Sequence, residues 1–373
     1  MLTMPVKRQH YVPQVYLKAW ETRVVSKKEP SKHFDGIYYF GKSDLEIGDG
    51  KNKDSVLWES RLYTVDYDLS FIIPSCPKIQ EDYIKQTAER LEQRQVNAYF
   101  EGKLLETKEE LVKHFLKLDD WEFRNSENPD LLPRTKAIFS DIKQINSYVI
   151  ESALDNFVET KWEQYLGRFI EEMEYTVPLN GIDEIRQINE NTVLEVIKMV
   201  IFLICRNPEF DYLGIFPWIK KLIIDSLPEG KNIDNIKTRD KFIKNQVDAV
   251  WLLEIYKGLF NEPSGYFHTL KQAAQSSFQI MLYKVGDDQG TFITSDKPAF
   301  EHISLLEATN LNSIICPLTP QYLIMLMRGE SNSLSNVNFR RANNQLIRKL
   351  NGIILNHAEK AIISNYKHLG YIL

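Results

Sequence analysis

Apolar residues in the middle of the chain recur at helical spacing. Ile150, Leu154, Phe157, Val158, Trp162, Tyr165, Phe169 and Met173 follow one another mostly three or four positions apart, which draws one apolar stripe along a long amphipathic helix. The spacing continues at Val193, Val196, Ile197, Val200, Ile201 and Ile204, with Asn191 and Thr192 as candidate caps. Met199 to Cys205 has no polar face, so this helix is predicted at the centre of a bundle. Arg206-Asn207-Pro208 ends it, because a residue before proline is disfavoured in helical geometry. A closing helix is predicted from Leu346, Ile347, Leu350, Ile353, Ile354, Ala358 and Ala361 on one face.

Both ends of the chain read differently. Gly36–Phe40 and Arg61–Val65 are rich in aromatic and β-branched residues and predict strands, with the glycine-rich run Gly48–Asp54 between them as an exposed turn. Phe278–Val285 and Thr291–Thr294 predict a hairpin around Gly286–Gly290. Ile314–Leu318 and Tyr322–Met327 predict a second, with Pro317 and Pro320 pushing its first strand toward a sheet edge. Strands at both ends with helices between define an α+β fold, a mixed or antiparallel sheet built from N- and C-terminal strands with a large central helical insertion. Residues 1–78 then carry the N-terminal motif and strands, 79–276 the helical region, and 277–373 the C-terminal strands and closing helix, all as one unit.

Composition narrows the class without naming a reaction. With 43% hydrophobic and 26% charged residues the chain matches an ordinary globular protein. A formal net charge of −5 gives no basic field of the kind that drives nucleic-acid binding. A local groove remains open, from Lys220, Lys221, Lys231, Lys237, Arg239, Lys241 and Lys244 around one loop, or from Arg340, Arg341, Arg348 and Lys349 placed on the closing helix. Three scattered cysteines, Cys76, Cys205 and Cys316, argue for a reducing compartment and against a disulfide framework. No apolar run approaches the roughly 18 residues of a membrane span, and no signal peptide is evident. A cytoplasmic protein with no membrane partner is the expectation.

Two short motifs hold the candidate chemistry. Gln9-His10-Tyr11-Val12-Pro13 lies near the start and Thr294-Ser295-Asp296-Lys297-Pro298 near the end, each setting polar side chains beside a proline in an apolar frame. His10 can act as a general base or metal ligand, or hydrogen-bond a carbonyl where the N-terminal segment docks. Asp296 ends an apolar strand, where a carboxylate can face a cleft or can bond nearby backbone amides at a turn. Arg206, after the apolar helix, can clamp an anion bidentately or bond the helix's last carbonyls. Tyr11, Ser295 and Glu59 are supporting candidates, although no Gly-x-Ser-x-Gly elbow surrounds Ser295. Zinc peptidase, redox, Rossmann and P-loop fingerprints are absent from the sequence.

As a set, these motifs resemble those of an uncharacterised bacterial family, one of the domains of unknown function. The resemblance rests on His10-Tyr11-Val12-Pro13 with Tyr16, Leu17 and Trp20; on Arg206 and Pro208; on Thr294-Ser295-Asp296 with Pro298; on Pro317-Leu318-Thr319-Pro320; and on Asn351, Asn356 and Ala358. It implies one family unit across most of the chain and a convergence of the recurring polar residues. It supplies no activity. Gln9 stands where many members carry a second histidine, so a mechanism needing two adjacent histidines does not transfer.

Two functional readings follow. In the first, His10, Arg206 and Asp296 form a hydrolase-like site acting on a phosphodiester or nucleotide, with His10 as base or ligand of a divalent metal, Asp296 as metal ligand or orienting carboxylate, and Arg206 as anion clamp. In the second, the chain is a non-catalytic sensor or interaction module, in bacterial stress or phage defence, whose motifs lock the termini together. A nucleic-acid-binding module ranks behind both.

Overall fold

The structure is a computed structural model, and it describes residues 8–60, 62, 77–114, 120–142, 158–175, 183–208, 251, 265–286, 289–304, 311–329, 333–370 and 372–373. Of the expected elements, the strand at Arg61–Val65, apart from Leu62, and the first turns of the stripe beginning at Ile150 lie outside these residues. The chain divides into two compact units, one of residues 1–9, 60–155 and 211–263, the other of residues 10–59, 156–210 and 264–373.

The first unit departs from the helical reading of its sequence. Its helices Pro77–Gln93 and Lys108–His114 accompany a three-stranded antiparallel sheet of Val96–Phe100, Lys103–Leu104 and Glu122–Asn125. Val96, Ala98 and Phe100 are buried while Asn97 and Tyr99 are half-buried, a period of two that marks a strand. Glu101 and Gly102 both have positive φ, at 49° and 76°, and close a two-residue hairpin between Phe100 and Lys103.

The second unit holds the N-terminal motif from His10 onward and the whole of the C-terminal one. Its elements are α1 (Gln14–Leu17), β1 (Thr22–Val25), β2 (His33–Gly41), β3 (Asp44–Lys51), α2 (Thr160–Tyr175), β4 (Asp183–Gln187), α3 (Glu190–Cys205), α4 (Gly265–Ser277), β5 (Phe278–Val285), β6 (Thr294–Ser295), β7 (Phe300–Ser304), β8 (Leu311–Thr319), β9 (Tyr322–Arg328), β10 (Asn336–Ala342), α5 (Asn344–His357) and β11 (Ala361–Ser364). A six-stranded sheet runs β7-β8-β9-β5-β10-β4, antiparallel except for the parallel pair β5/β10. A five-stranded antiparallel sheet runs β6-β11-β2-β1, with β3 also paired to β2. N-terminal β2 and C-terminal β11 are therefore neighbours, with Phe40 opposite Ile362, and the α+β class holds.

One core joins both sheets to α5. Tyr38 and Phe40 from β2, Met281 and Tyr283 from β5, Leu323 and Met325 from β9, and Ile347, Leu350 and Ile354 from α5 belong to one buried cluster. Helix α3 packs against α2 and α4 and buries eleven side chains, among them all seven from Met199 to Cys205. Asn189, rather than Asn191 or Thr192, caps it by accepting from the Asn191 N–H.

Four local expectations are corrected by the pairing. Gly48 and Gly50 lie in β3, not in an exposed turn. A Cβ on Gly48 would stand 2.7 Å from the Phe40 ring, so the glycine admits the packed aromatic rather than a bend. Phe278–Val285 and Thr291–Thr294 do not form a hairpin, since β5 pairs with β9 and β10 while β6 joins β11. Pro317 sits in an interior strand at a β-bulge, one of the positions where a strand tolerates a residue that cannot donate. Arg340 and Arg341 belong to β10 rather than to the closing helix, where successive side chains point to opposite faces.

Candidate functional site

The N-terminal motif enters the second unit as an extended turn into α1. The Tyr11 N–H donates to the Leu57 carbonyl at 3.2 Å, and Tyr11 and Val12 are buried. Pro13 starts α1, which turns Tyr16 and Leu17 inward, and Trp20 follows in the next turn with no exposed surface. Tyr16 meets the Trp162 ring of α2 edge-on with centroids 5.4 Å apart. Trp20 donates from its indole nitrogen to the Phe292 carbonyl at 3.4 Å.

His10 is held at both ring nitrogens. Nδ1 lies 3.1 Å from the Val56 carbonyl, which can only accept, so Nδ1 carries the proton. Nε2 is left as the acceptor of the Gln14 side-chain amide at 2.8 Å. Burial lowers the affinity of the ring for a second proton and Arg206 adds to this, against the Val56 bond and the carboxylates of Glu159 and Asp54. The ring is therefore neutral at pH 7.

Arg206 is the C-cap of α3 and is buried. It donates through one guanidinium nitrogen to the His10 carbonyl at 2.5 Å and through another to Glu159 at 2.8 Å. The guanidinium thus spans two groups of the protein. Its neighbour Asn207, missed as a functional candidate in the sequence, donates from Nδ2 to the Asp296 carbonyl at 2.9 Å. The signal was present, since a polar residue beside a wholly apolar helix end needs a partner if it is buried.

Asp296 follows β6 and is 3% exposed. Its Oδ1 accepts from the Glu359 N–H at 3.0 Å and its Oδ2 from the Lys360 N–H at 2.7 Å. Its own N–H donates to the Ala361 carbonyl at 3.1 Å. The carboxylate closes the turn from α5 into β11. Ser295 beside it donates from Oγ to the Lys297 carbonyl and accepts from the Lys297 N–H, at 2.9 and 3.1 Å, within its own turn. Glu59 reaches this turn from the other side, 3.5 Å from the Lys360 ammonium, with both side chains largely exposed. The Asp296 charge also acts on Tyr39, whose phenol is pushed up by burial first and by this carboxylate second.

Arg206 touches His10 and Asn207 touches Asp296, so adjacent residues at one helix end reach both motifs. A further link is Tyr16, whose hydroxyl donates to the Pro317 carbonyl and pairs with the Thr294 hydroxyl, each at 2.7 Å. Each Asp296 oxygen accepts one backbone amide and keeps a second lone pair, whereas ligation by His10 would require release of Gln14 or Val56. The donor set does not fit an ion without that rearrangement. Among the described residues, no three His, Cys, Asp or Glu side chains converge as a metal site.

Of the basic candidates, Lys220 through Lys244 lie outside the described residues, and Arg341, Arg348 and Lys349 are exposed. Among the described residues no helix is long and apolar enough to cross a membrane. The family model described as "Protein of unknown function (DUF4238)" matches residues 8–368. The chain belongs to that family, an uncharacterised one. No curated protein and no solved structure matches it.

Proposed function

We propose that the chain is a non-catalytic sensor or interaction module, and that its two motifs act as an internal lock. The observation that supports this reading is the full engagement of the polar groups at its heart. Both Asp296 carboxylate oxygens accept backbone amides, both His10 ring nitrogens have protein partners, and the Arg206 guanidinium is divided between a carbonyl and a carboxylate. A catalytic carboxylate or base needs an oxygen or nitrogen that can meet substrate within hydrogen-bond reach. Here the Asp296 oxygens and His10 Nδ1 hold backbone groups, and His10 Nε2 is taken by the Gln14 side chain.

The test is to measure melting temperature and complementation of a deletion strain on His10→Ala, Arg206→Ala and Asp296→Ala together. Under the lock reading, complementation falls only as melting temperature falls, and returns at a lower growth temperature. A variant that keeps its melting temperature and loses complementation would overturn it.

A hydrolase-like reading has one observation in its favour. His10 is held neutral, and the atom that would take a proton, Nε2, accepts from the Gln14 side chain rather than from backbone. Rotation of Gln14 would open that lone pair toward a phosphodiester or nucleotide. This reading expects metal-dependent turnover of a simple phosphodiester such as bis-p-nitrophenyl phosphate, abolished by His10→Ala. Absence of turnover with magnesium, manganese and zinc would remove it.

A further inference from the structure

Away from the two motifs, a histidine on β7 faces a histidine on α5. His302 Nδ1 and His357 Nε2 are 3.0 Å apart, with ring centroids 5.2 Å apart and planes at 82°. One nitrogen donates and the other accepts, so a single proton lies between two imidazoles. Neither residue belongs to the lock.

The His357 ring and the His302 backbone are each held by a neighbour. Phe300 stacks on His357 with centroids 4.1 Å apart and planes 13° from parallel. His302 pairs with Ser313 across β7 and β8, and the Ser313 hydroxyl donates to its carbonyl at 3.1 Å. Both residues are half-buried.

We propose that His302 and His357 form a two-imidazole site for a borderline divalent cation of the zinc type, which takes the place of the shared proton and staples β7 to α5. Imidazole nitrogens bind such an ion at roughly 2.0 to 2.1 Å, which sets two tetrahedral ligands about 3.3 Å apart. The observed 3.0 Å is a few tenths of an ångström short of that, within reach of a small rotation of each ring. Binding needs only a change of tautomer. The donating nitrogen gives up its proton, the other nitrogen of the same ring takes one up, and no net proton is released while both rings are neutral.

The surroundings favour neutral rings. Burial holds both imidazoles below their ordinary proton affinity, and His302, Lys297 and Lys42 lower His357 further. Those two lysines also oppose a cation, but each has a partner. Lys297 is 2.6 Å from Glu359, and Lys42 donates to the Ala358 carbonyl at 2.5 Å. Water completes the ion's coordination, so the affinity is that of two imidazoles and not of a closed structural site.

Calorimetric titration of the full chain with zinc at about pH 7.5, where imidazoles are neutral, tests the site. One zinc per chain is expected, with no heat from magnesium, which prefers oxygen ligands. His302→Ala and His357→Ala should each weaken binding about tenfold or more, while exposed His33→Ala leaves it unchanged. His357→Gln, which keeps a polar group against His302, replaces the alanine variant if that one fails to fold. No zinc binding by the wild type, or wild-type binding in the His302 and His357 variants, would overturn the proposal.

Discussion

The hydroxyl of Tyr16 lies 2.7 Å from the hydroxyl of Thr294, a contact across 278 positions of sequence. The same oxygen donates to the Pro317 carbonyl, so one buried phenol holds the N-terminal motif to β6 and β8 together. Burial pushes this phenol well above its ordinary pKa, so it remains a donor across any workable pH. Tyr16→Phe keeps the ring packing against Trp20 and Trp162 and removes only the oxygen. It should destabilise the second unit by about 1 to 2 kcal/mol, because two buried partners lose a bond. Urea unfolding indistinguishable from wild type would show that the contact contributes nothing.

Asn351 should matter more. It is fully buried on the apolar face of α5 and accepts the Ile293 N–H while donating to the carbonyls of Thr291 and Ile372. Asn351→Leu removes the amide, adds apolar volume at a packed site and leaves three backbone groups unpaired. The expected loss is about 3 kcal/mol or more, read as a lower denaturation midpoint with an unchanged slope. A variant as stable as wild type would mean that water or a shifted helix satisfies those groups.

The half-buried histidine at position 10 makes stability depend on pH with a definite sign. Its folded-state proton affinity is lowered from the ordinary 6.5, so the unfolded chain takes up a proton first as pH falls. Its contribution is complete above the ordinary value and is lost as pH drops through the folded one. Melting temperature should therefore fall between about pH 7 and pH 5, and fall less steeply in His10→Ala. Equal slopes in the two proteins would assign the dependence to other groups.

Much of the fold was legible from periodicity, and the exceptions share a physical cause. Helix α3 and the strand pair β8/β9 followed from runs of apolar residues bounded by proline or by a turn. Strand β3 was read as a turn because a glycine's missing side chain looks the same whether it permits a bend or a close approach by Phe40. The Phe278–Thr294 hairpin failed because adjacency in sequence says nothing of partners such as Phe339, which lies opposite Leu282 in register. Within the candidate site, His10, Arg206 and Asp296 were visible as polar residues in apolar frames. Their bonds to the carbonyl of Val56, the carbonyl of His10 and the amides of Glu359 and Lys360 were not, because every backbone offers the same donors and acceptors. Asn351 stood out through the family resemblance, which gives no partner for it.

The lock is tested most directly by His10→Asn. Asparagine can place its side-chain nitrogen near the Nδ1 position and donate to the Val56 carbonyl, yet it has no imidazole to act as base or metal ligand. Melting temperature and complementation should be measured on the same preparation and strain. If the motif holds backbone, His10→Asn retains complementation, with stability within about 1 kcal/mol of wild type and above that of His10→Ala. Loss of complementation in a variant that folds as stably as wild type would contradict the lock and return the site to chemistry.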